Sequence, residues 1–164
     1  LRTRCEPITK PRSTAVRVIL DDMRETLRDW QSRFGSGRAI AAPQIGAPVR
    51  IVYIEMEKPW PLINPEIKPA GRQVEEDWEG CLSIPDLRGL VPRYRDISVK
   101  AYDRTGRQIE MQASGFMARV IQHETDHLDG VLFFDRMRSF QTLTFLDEYG
   151  RYWSGPDSDP VEVE

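Results

Sequence analysis

Five consecutive residues, His123-Glu124-Thr125-Asp126-His127, contain both histidines of the chain with a glutamate beside the first. On an α-helix, residues four apart lie on one face, so both imidazoles can reach a single metal ion. Glu124 lies at the adjoining edge, where its carboxylate can take a proton from a water molecule that the metal activates. The spacing predicts a metal-dependent hydrolase, and the alternative is a surface helix with two solvated histidines.

Two histidines do not complete a catalytic metal site, which usually has three protein ligands and one open position. Downstream, the extended zinc-hydrolase pattern would place a third histidine where this chain has Phe133, and Glu148 lies at a distance that suits a glutamate ligand. Upstream, Cys81 follows Gly80, which permits a close approach of the backbone beside the sulfur. Since a lone cysteine is more often a small buried hydrophobe, these residues alone leave Cys81 and Glu148 open as the third ligand.

The elements that must position these residues can be read from apolar periodicity. A period near 3.6 predicts an amphipathic helix from Thr14 to Phe34, capped by Ser13 or Thr14, and a second helix from Ser114 that ends near Gly130. Strands are predicted at Val49–Ile54, around Leu62 and Ile63, and at Ile97–Tyr102 and Gln108–Ala113, the last two joined as a hairpin. Helices segregated from short, mostly antiparallel strands indicate a compact α+β fold.

Length and charge restrict the classes of function. A chain of 164 residues fits one domain, with residues 1–153 as the catalytic part and 154–164 as an acidic, disordered tail. A net charge of −3 gives no overall footprint for nucleic acid, and no apolar run is long enough for a membrane span, so neither partner is expected. Two cysteines make no disulfide framework, which favours free thiols and a cytoplasmic location, or an organelle if a presequence precedes Leu1. Oligomeric state stays open.

Three segments resemble the motifs of peptide deformylases. Residues 79–83, Glu-Gly-Cys-Leu-Ser, match the EGCLS motif, and residues 122–130 match the QHExDHLxG helix. Residues 41–46, Ala-Ala-Pro-Gln-Ile-Gly, are similar to the end of the GxGLAAPQxG loop. The three occur in the order found in the family, and weaker likeness extends from the first residues to residue 133, so most of the chain is covered.

The resemblance implies removal of the N-formyl group from nascent peptides that begin with formyl-methionine. It places Cys81, His123 and His127 at the metal-ligand positions, with Fe(II) as the expected ion and Zn(II) or Ni(II) as alternatives. It makes Glu124 the acid/base and gives the Gln44 amide and the Leu82 backbone N–H to the formyl oxygen. The residues expected to face the substrate are Gly37, Ala39, Ile40, Arg88, Phe116 and Val120.

Two departures from the family bear on function. Ala39 replaces a glycine of the first motif and Ile40 a leucine; if that glycine needs a positive φ, alanine costs on the order of 1 kcal/mol and reshapes the loop. Beyond Asp135 the sequence does not resemble the basic C-terminal helix with which some bacterial members of the family dock on ribosomes. Since an acidic tail is repelled by RNA, docking on the ribosome through that segment is not expected.

The sequence also gives expectations for residues that support the candidate site. Glu79 and Arg93 are expected to form a buried ion pair that braces the Cys81 strand, and Asp126 is expected to be exposed or capping.

Two further functions remain beside deformylation. One is a zinc endopeptidase that uses Glu148, and the other is a deformylase-like metal-binding protein that has lost turnover.

Overall fold

The computed structural model describes residues 1–56 and 58–154. The chain folds as an α+β domain with two antiparallel sheets, as the segregation of helices and strands predicted. A five-stranded sheet has the order β1-β2-β3-β6-β7, and a three-stranded sheet has the order β4-β5-β8. The strands are β1 Ala39–Ala41, β2 Ile51–Glu55, β3 Pro59–Pro69, β4 Val74–Cys81, β5 Ile84–Tyr94, β6 Asp96–Tyr102, β7 Gln108–Ser114 and β8 Thr144–Phe145.

The first helix, α1, spans Thr14–Phe34, as the periodicity predicted. Ser13 caps its first turn, because the Ser13 side chain accepts a hydrogen bond from the Val16 N–H. The apolar face of α1, including Met23 and Leu27, packs on Ile40 and its neighbours in β2 and β3. This packing positions β1, which leads directly into the Ala-Ala-Pro-Gln motif.

The second helix, α2, spans Gly115–Leu128 and is buried from Ala118 to its end. It packs between the five-stranded sheet and the second sheet, so its apolar side chains join the core of β1, β2, β3 and β6. Gly130 follows the helix at φ 74°, where a Cβ would lie 2.5 Å from the carbonyl oxygen of Arg2. The predicted stop at Gly130 is therefore a close backbone contact as well as a turn.

Two parts of the fold differ from the expectation. The long β4–β5 hairpin, which carries the Cys81 motif at its tip, was not predicted beyond the expected strand at Cys81. After residue 132 the structure has the short helices α3 Phe133–Arg136 and α4 Leu146–Tyr152, with β8 between them. From residue 155 on, the predicted acidic tail lies outside the described residues. No described helix is long and apolar enough to cross a membrane.

Candidate metal centre

Both histidines lie on one buried face of α2. His123 is 3% exposed and His127 is 1% exposed, and their ring centroids are 4.9 Å apart. Phe133, which occupies the place of the third histidine in the extended pattern, lies parallel to the His123 ring at 6.5 Å. The i, i+4 spacing thus presents two imidazoles to one point, and an aromatic ring takes the third-histidine position of other hydrolases.

Cys81 reaches the same point from the other sheet. It is the last residue of β4, and its Sγ lies 3.3 Å from Nε2 of His127. The ligand atoms of Cys81, His123 and His127 all lie within 4.8 Å of one another. In a tetrahedral site with bonds near 2.3 Å to sulfur and 2.1 Å to nitrogen, the sulfur and nitrogen atoms lie about 3.6 Å apart, so the three side chains would draw closer together around an ion.

The chemistry of the donor set fits a metal ion. The Nε2 atom of His123 is buried without a hydrogen-bond partner among the described residues, while its Nδ1 lies 3.0 Å from Oε2 of Glu79. An Nδ1–H that donates to Glu79 leaves the Nε2 lone pair free to bind a cation. Burial, and then the nearby His123 and Arg93, lower the pKa of His127 to about 3, so that imidazole is neutral and also offers a lone pair.

Negative charge surrounds His123. Burial acts to lower the pKa of His123, but interactions with Cys81 and Glu79 outweigh it and hold the pKa well above its usual value. A pocket that favours a proton on one imidazole also favours a cation at the same place. Cys81, His123 and His127 therefore suit a divalent ion better than a neutral ligand.

Glu79 is the centre of a buried network that supports His123. Arg93 donates two hydrogen bonds of 2.9 Å to its carboxylate, and Arg119 donates one of 2.6 Å. Burial opposes ionisation of Glu79, but Arg93 and His123 outweigh it and hold the pKa of Glu79 far below its usual value. The expected Glu79–Arg93 pair is confirmed, and Arg119 is an additional member that no spacing signal indicated.

Asp126 extends this network and corrects an expectation. It is 6% exposed and accepts hydrogen bonds of 2.5 Å from Arg93 and 2.7 Å from Arg136. The expectation that Asp126 is exposed or capping is wrong, because its two cationic partners come from β5 and α3 and are remote in sequence. Asp126 lies one residue before His127 and so anchors that end of α2 to the second sheet.

Gln122 also anchors α2 to strand β5. Its side-chain amide donates to the carbonyl of Tyr94 and its oxygen accepts from the Tyr94 N–H, at 2.8 and 3.0 Å. Together with the Asp126 pairs, this contact fixes the position of α2 relative to β5. The positions of His123 and His127 are therefore set by polar contacts on the far side of the helix.

Gln44 contacts the ligand cluster, and Glu124 is a buried residue next to one of its histidines in the sequence. Glu124 follows His123 on α2 and is 1% exposed. The Gln44 side chain accepts a hydrogen bond of 2.7 Å from the Ala41 N–H, and its Nε2 lies 3.1 Å from Oγ of Ser83 and 3.8 Å from Sγ of Cys81. An amide held at its oxygen in this way presents its N–H groups toward Cys81. Ser83 was not predicted as part of the site.

Leu82, the other predicted donor, lies in the tight turn between β4 and β5, directly after Cys81. Its half-buried side chain packs against the core under α1. The turn thus brings the Leu82 backbone next to the Cys81 sulfur.

The substrate-facing residues of the first motif lie before and within β1. Gly37 adopts φ 106°, where a Cβ would lie 3.1 Å from the Trp30 ring, so this position needs a glycine. Among described residues with a side chain, positive φ occurs only at Asn64 and Asp86, so Ala39 has ordinary extended geometry. Ala39 is fully buried in the core with α2, and Ile40 points to the core under α1.

The other residues predicted to face the substrate are not brought together. Val120 is buried in the core beside Ala39, while Phe116 is 41% exposed and lines a small pocket with Asp77. Arg88 is only 6% exposed, donates to the Leu87 carbonyl and lies beside Thr144 of β8. Burial lowers the pKa of Arg88 to about 10. Arg88 is thus an interior residue beneath the C-terminal segment.

The competing third ligand lies elsewhere. Glu148 is on α4 with a half-exposed side chain, 3.1 Å from Arg151. Among the described residues, the group that can hold a metal ion consists of Cys81, His123 and His127. Cys5 and Cys81 are both free thiols, as expected.

The chain matches known proteins over most of its length. A family model described as polypeptide deformylase matches residues 1–142. Peptide deformylase 1 of Bordetella pertussis is 43% identical over 152 residues, covering 86% of this chain and 84% of that protein.

Two solved structures share the fold. A peptide deformylase from Synechococcus elongatus in complex with actinonin has a TM-score of 0.79 and 34% identity, over 92% of this chain and 80% of that one. A class I type b peptide deformylase from Acinetobacter baumannii with bound Met-Ala-Ser has a TM-score of 0.75 and 32% identity, over 83% and 92%. The chain therefore belongs to the polypeptide deformylase family, hydrolases that remove N-formyl groups.

Proposed function

We propose that Cys81, His123 and His127 hold one divalent metal ion, and that Glu124 is the acid/base with which the chain removes the N-formyl group from nascent N-formylmethionyl peptides. The observation that carries this proposal is the meeting of three ligand atoms within 4.8 Å of one another, one from strand β4 and two from helix α2, with the buried Glu124 next to His123 in the sequence. A divalent ion bound there supplies Lewis acidity and brings the pKa of water toward neutrality.

Glu124 moves the protons of the reaction. Its carboxylate accepts a proton from the water molecule as the water oxygen adds to the formyl carbon. The bond between the formyl carbon and the amine nitrogen then breaks, and Glu124 delivers the proton to that nitrogen. Formate and a peptide with a free amino group are the products, and Glu124 returns to its starting state.

Gln44 and Leu82 stabilise the oxygen on which charge develops. The Gln44 amide is oriented by the Ala41 N–H and Ser83, so its Nε2 is held before the substrate arrives. The Leu82 N–H follows Cys81 in the β4–β5 turn. Preset donors of this kind are each worth about 2.7–4 kcal/mol in the transition state.

Fe(II) is the proposed physiological ion, with Zn(II) and Ni(II) as substitutes. A thiolate with two imidazoles is a ligand set that accepts any of the three, so the geometry alone supports a divalent transition metal. Cys81 makes an iron-loaded site sensitive to oxygen and peroxide, because its sulfur can be oxidised. The Bordetella pertussis relative is a bacterial protein, which supports a cytoplasmic location.

The test is formate release by protein purified without oxygen, with its metal content measured. Formyl-Met-Ala-Ser is a suitable substrate, since the Acinetobacter relative holds Met-Ala-Ser. We expect Glu124→Gln to keep its metal and lose formate release by about 10²–10⁴-fold. Glu110→Gln, a half-exposed glutamate of β7, is the matched control and keeps full activity.

A metal-loaded protein that releases no formate from any formyl peptide would contradict the proposal. It would favour the metal-binding protein without turnover. The reason for suspecting that alternative was a strained Ala39, and the extended geometry of Ala39 removes it.

A further inference from the structure

A cavity at the junction of the two sheets takes no part in the proposed reaction. It lies where β3 and β5 end and β4 and β6 begin, against α2 and α3, and none of its lining residues is a proposed metal ligand. Its volume is about 350 Å³. Small-molecule sites typically hold about 300–1,000 Å³, so the cavity is large enough for a small organic molecule.

More than half of the lining residues are apolar or aromatic. They come from four strands and are Ile67, Pro69, Val74, Pro92, Tyr94 and Ile97. Two of them leave a large part of their surface in water, since Val74 is 44% exposed and Tyr94 is 42% exposed. A ligand with a hydrocarbon body would remove this apolar surface from water, which favours its binding.

The floor of the cavity is polar and buried. It consists of Arg93, Gln122 and Asp126, which are 5%, 6% and 6% exposed. The Gln122 amide is bonded to the backbone of Tyr94, and the Asp126 carboxylate accepts hydrogen bonds from Arg93. Because these groups are bonded to the protein, they give the cavity a fixed shape and need no ligand atom.

Two cationic groups with unused donors lie at the mouth. Lys68 of β3 is exposed and forms no ion pair with a carboxylate in the described part of the chain. Arg136 of α3 donates through Nε and Nη2 to Asp126, at 3.1 and 2.7 Å, while its Nη1 donates to no described residue. Its side chain is 49% exposed. An anion can therefore bind both groups without breaking an existing hydrogen bond.

We propose that this cavity binds a small carboxylate with an apolar body. The carboxylate accepts hydrogen bonds from Lys68 and from Nη1 of Arg136, and the hydrocarbon part packs on Ile67, Val74 and Pro92. An amine would be repelled by the two cations, and a neutral molecule would leave both donors unused. Inorganic phosphate has no apolar surface to bury, so the apolar walls favour the carboxylate.

The experiment is an NMR titration of the isotope-labelled full chain, loaded with zinc, with phenylpropionate as the probe. Phenylpropanol is the matched probe, because it has the same body and no charge. The titration is repeated after the metal is removed with a chelator. A carboxylate that binds at the proposed metal centre loses its site in the chelated protein, whereas one that binds in the cavity does not.

Two variants alter the cavity from its exposed rim. Val74→Trp fills part of its volume, and Lys68→Gln removes one cation at the mouth. The matched controls are Val18→Trp and Lys10→Gln, which make the same changes at exposed positions outside the cavity. The amide spectra of the four variants show directly whether each is folded, so the result does not depend on the proposed function.

We expect phenylpropionate to shift the amide signals of Ile67, Tyr94 and Gln122, with a Kd of about 0.1–1 mM in both metal states. Phenylpropanol and the Lys68→Gln variant should each show about threefold to fivefold weaker binding, as for loss of an exposed charge pair. Val74→Trp should weaken binding by at least about tenfold, because its ring takes the space of the hydrocarbon body. Both controls should bind like the wild type.

Four results would overturn the proposal. They are no shifts in the wild type, equal affinity for phenylpropanol, binding that disappears with the metal, and equal losses in the cavity variants and their controls.

Discussion

The Nδ1 atom of His123 lies 3.0 Å from Oε2 of Glu79, and the same carboxylate receives hydrogen bonds from Arg93 and Arg119. One anion therefore orients a proposed metal ligand and pairs with two buried cations. Removing its charge should affect both stability and metal affinity, because the two roles share one carboxylate.

Glu79→Gln keeps the shape of the side chain and removes its charge. Since Arg93 and Arg119 would then be buried beside a neutral amide, we expect the free energy of unfolding to fall by about 3–5 kcal/mol in urea titrations. Metal affinity should fall by about 10–100-fold, as for other residues that orient a ligand. Glu75→Gln on the same strand, with a half-exposed side chain, should change stability by less than about 0.5 kcal/mol. Equal losses in the two variants would contradict this role of Glu79.

The acid stability of the protein should depend on Glu79. Burial raises its pKa, but Arg93 and His123 lower it more, so the folded-state pKa lies below the ordinary value of 4.5. A lowered folded-state pKa means that Glu79 stabilises the fold above about pH 4.5 and that this contribution is lost as the pH falls further. Unfolding free energies measured from pH 6 to pH 3 should thus decline less steeply in Glu79→Gln than in the wild type. Parallel curves would rule this out.

Cys81→Ser separates the two candidate third ligands. We expect this variant to lose stoichiometric metal and the thermal stabilisation that metal gives, which is about 2.7 kcal/mol at a hundred times the dissociation constant. Glu148→Gln should keep both, because Glu148 pairs with Arg151 on α4. Metal content and melting temperature, with and without added metal, check both variants. The reverse pattern would support the endopeptidase with Glu148.

Gln44→Leu tests the proposed oxyanion donor. With the amide removed, kcat should fall by about 10²–10³-fold while the metal content is unchanged. Ser83→Ala removes a contact of the Gln44 amide but leaves the bond from the Ala41 N–H, so its loss should be well under that of Gln44→Leu. Steady-state formate release distinguishes them, and a Gln44→Leu enzyme with full kcat would exclude the assignment.

Ala39→Gly restores the glycine of the family motif. Because Ala39 is buried in regular β1 geometry, we expect a loss of about 0.5–1 kcal/mol in unfolding free energy and no relief of strain. Ala41→Gly, two residues along the same strand and equally buried, should lose a similar amount. A more stable Ala39→Gly protein in urea titrations would show that the alanine is strained after all.

Sequence patterns predicted the elements that depend on interactions between residues close together in the chain. The apolar period near 3.6 predicted the span of α1, and two segments with alternating apolar residues predicted the β6–β7 hairpin. The i, i+4 spacing of His123 and His127 predicted that both imidazoles share one face of a helix. The proposal of Cys81 as the third ligand followed from the family motif rather than from periodicity.

Long-range polar pairs could not be predicted in this way. Asp126 looked like a surface residue, because its partner Arg93 lies 33 residues away on a strand that was not predicted. The β4–β5 hairpin itself escaped detection because most of the outer half of β4 is exposed and charged, with apolar alternation absent before Trp78.

The placement of Cys81 at the tip of the β4–β5 hairpin also affects how the protein matures. Its sulfur meets His127 across 46 residues of chain, so a nascent or partly folded molecule with α2 alone offers only two of the three ligands. Closing a loop of this length costs entropy that only the finished packing repays. We therefore expect the proposed site to bind metal tightly, and to become active, only after the two sheets have docked.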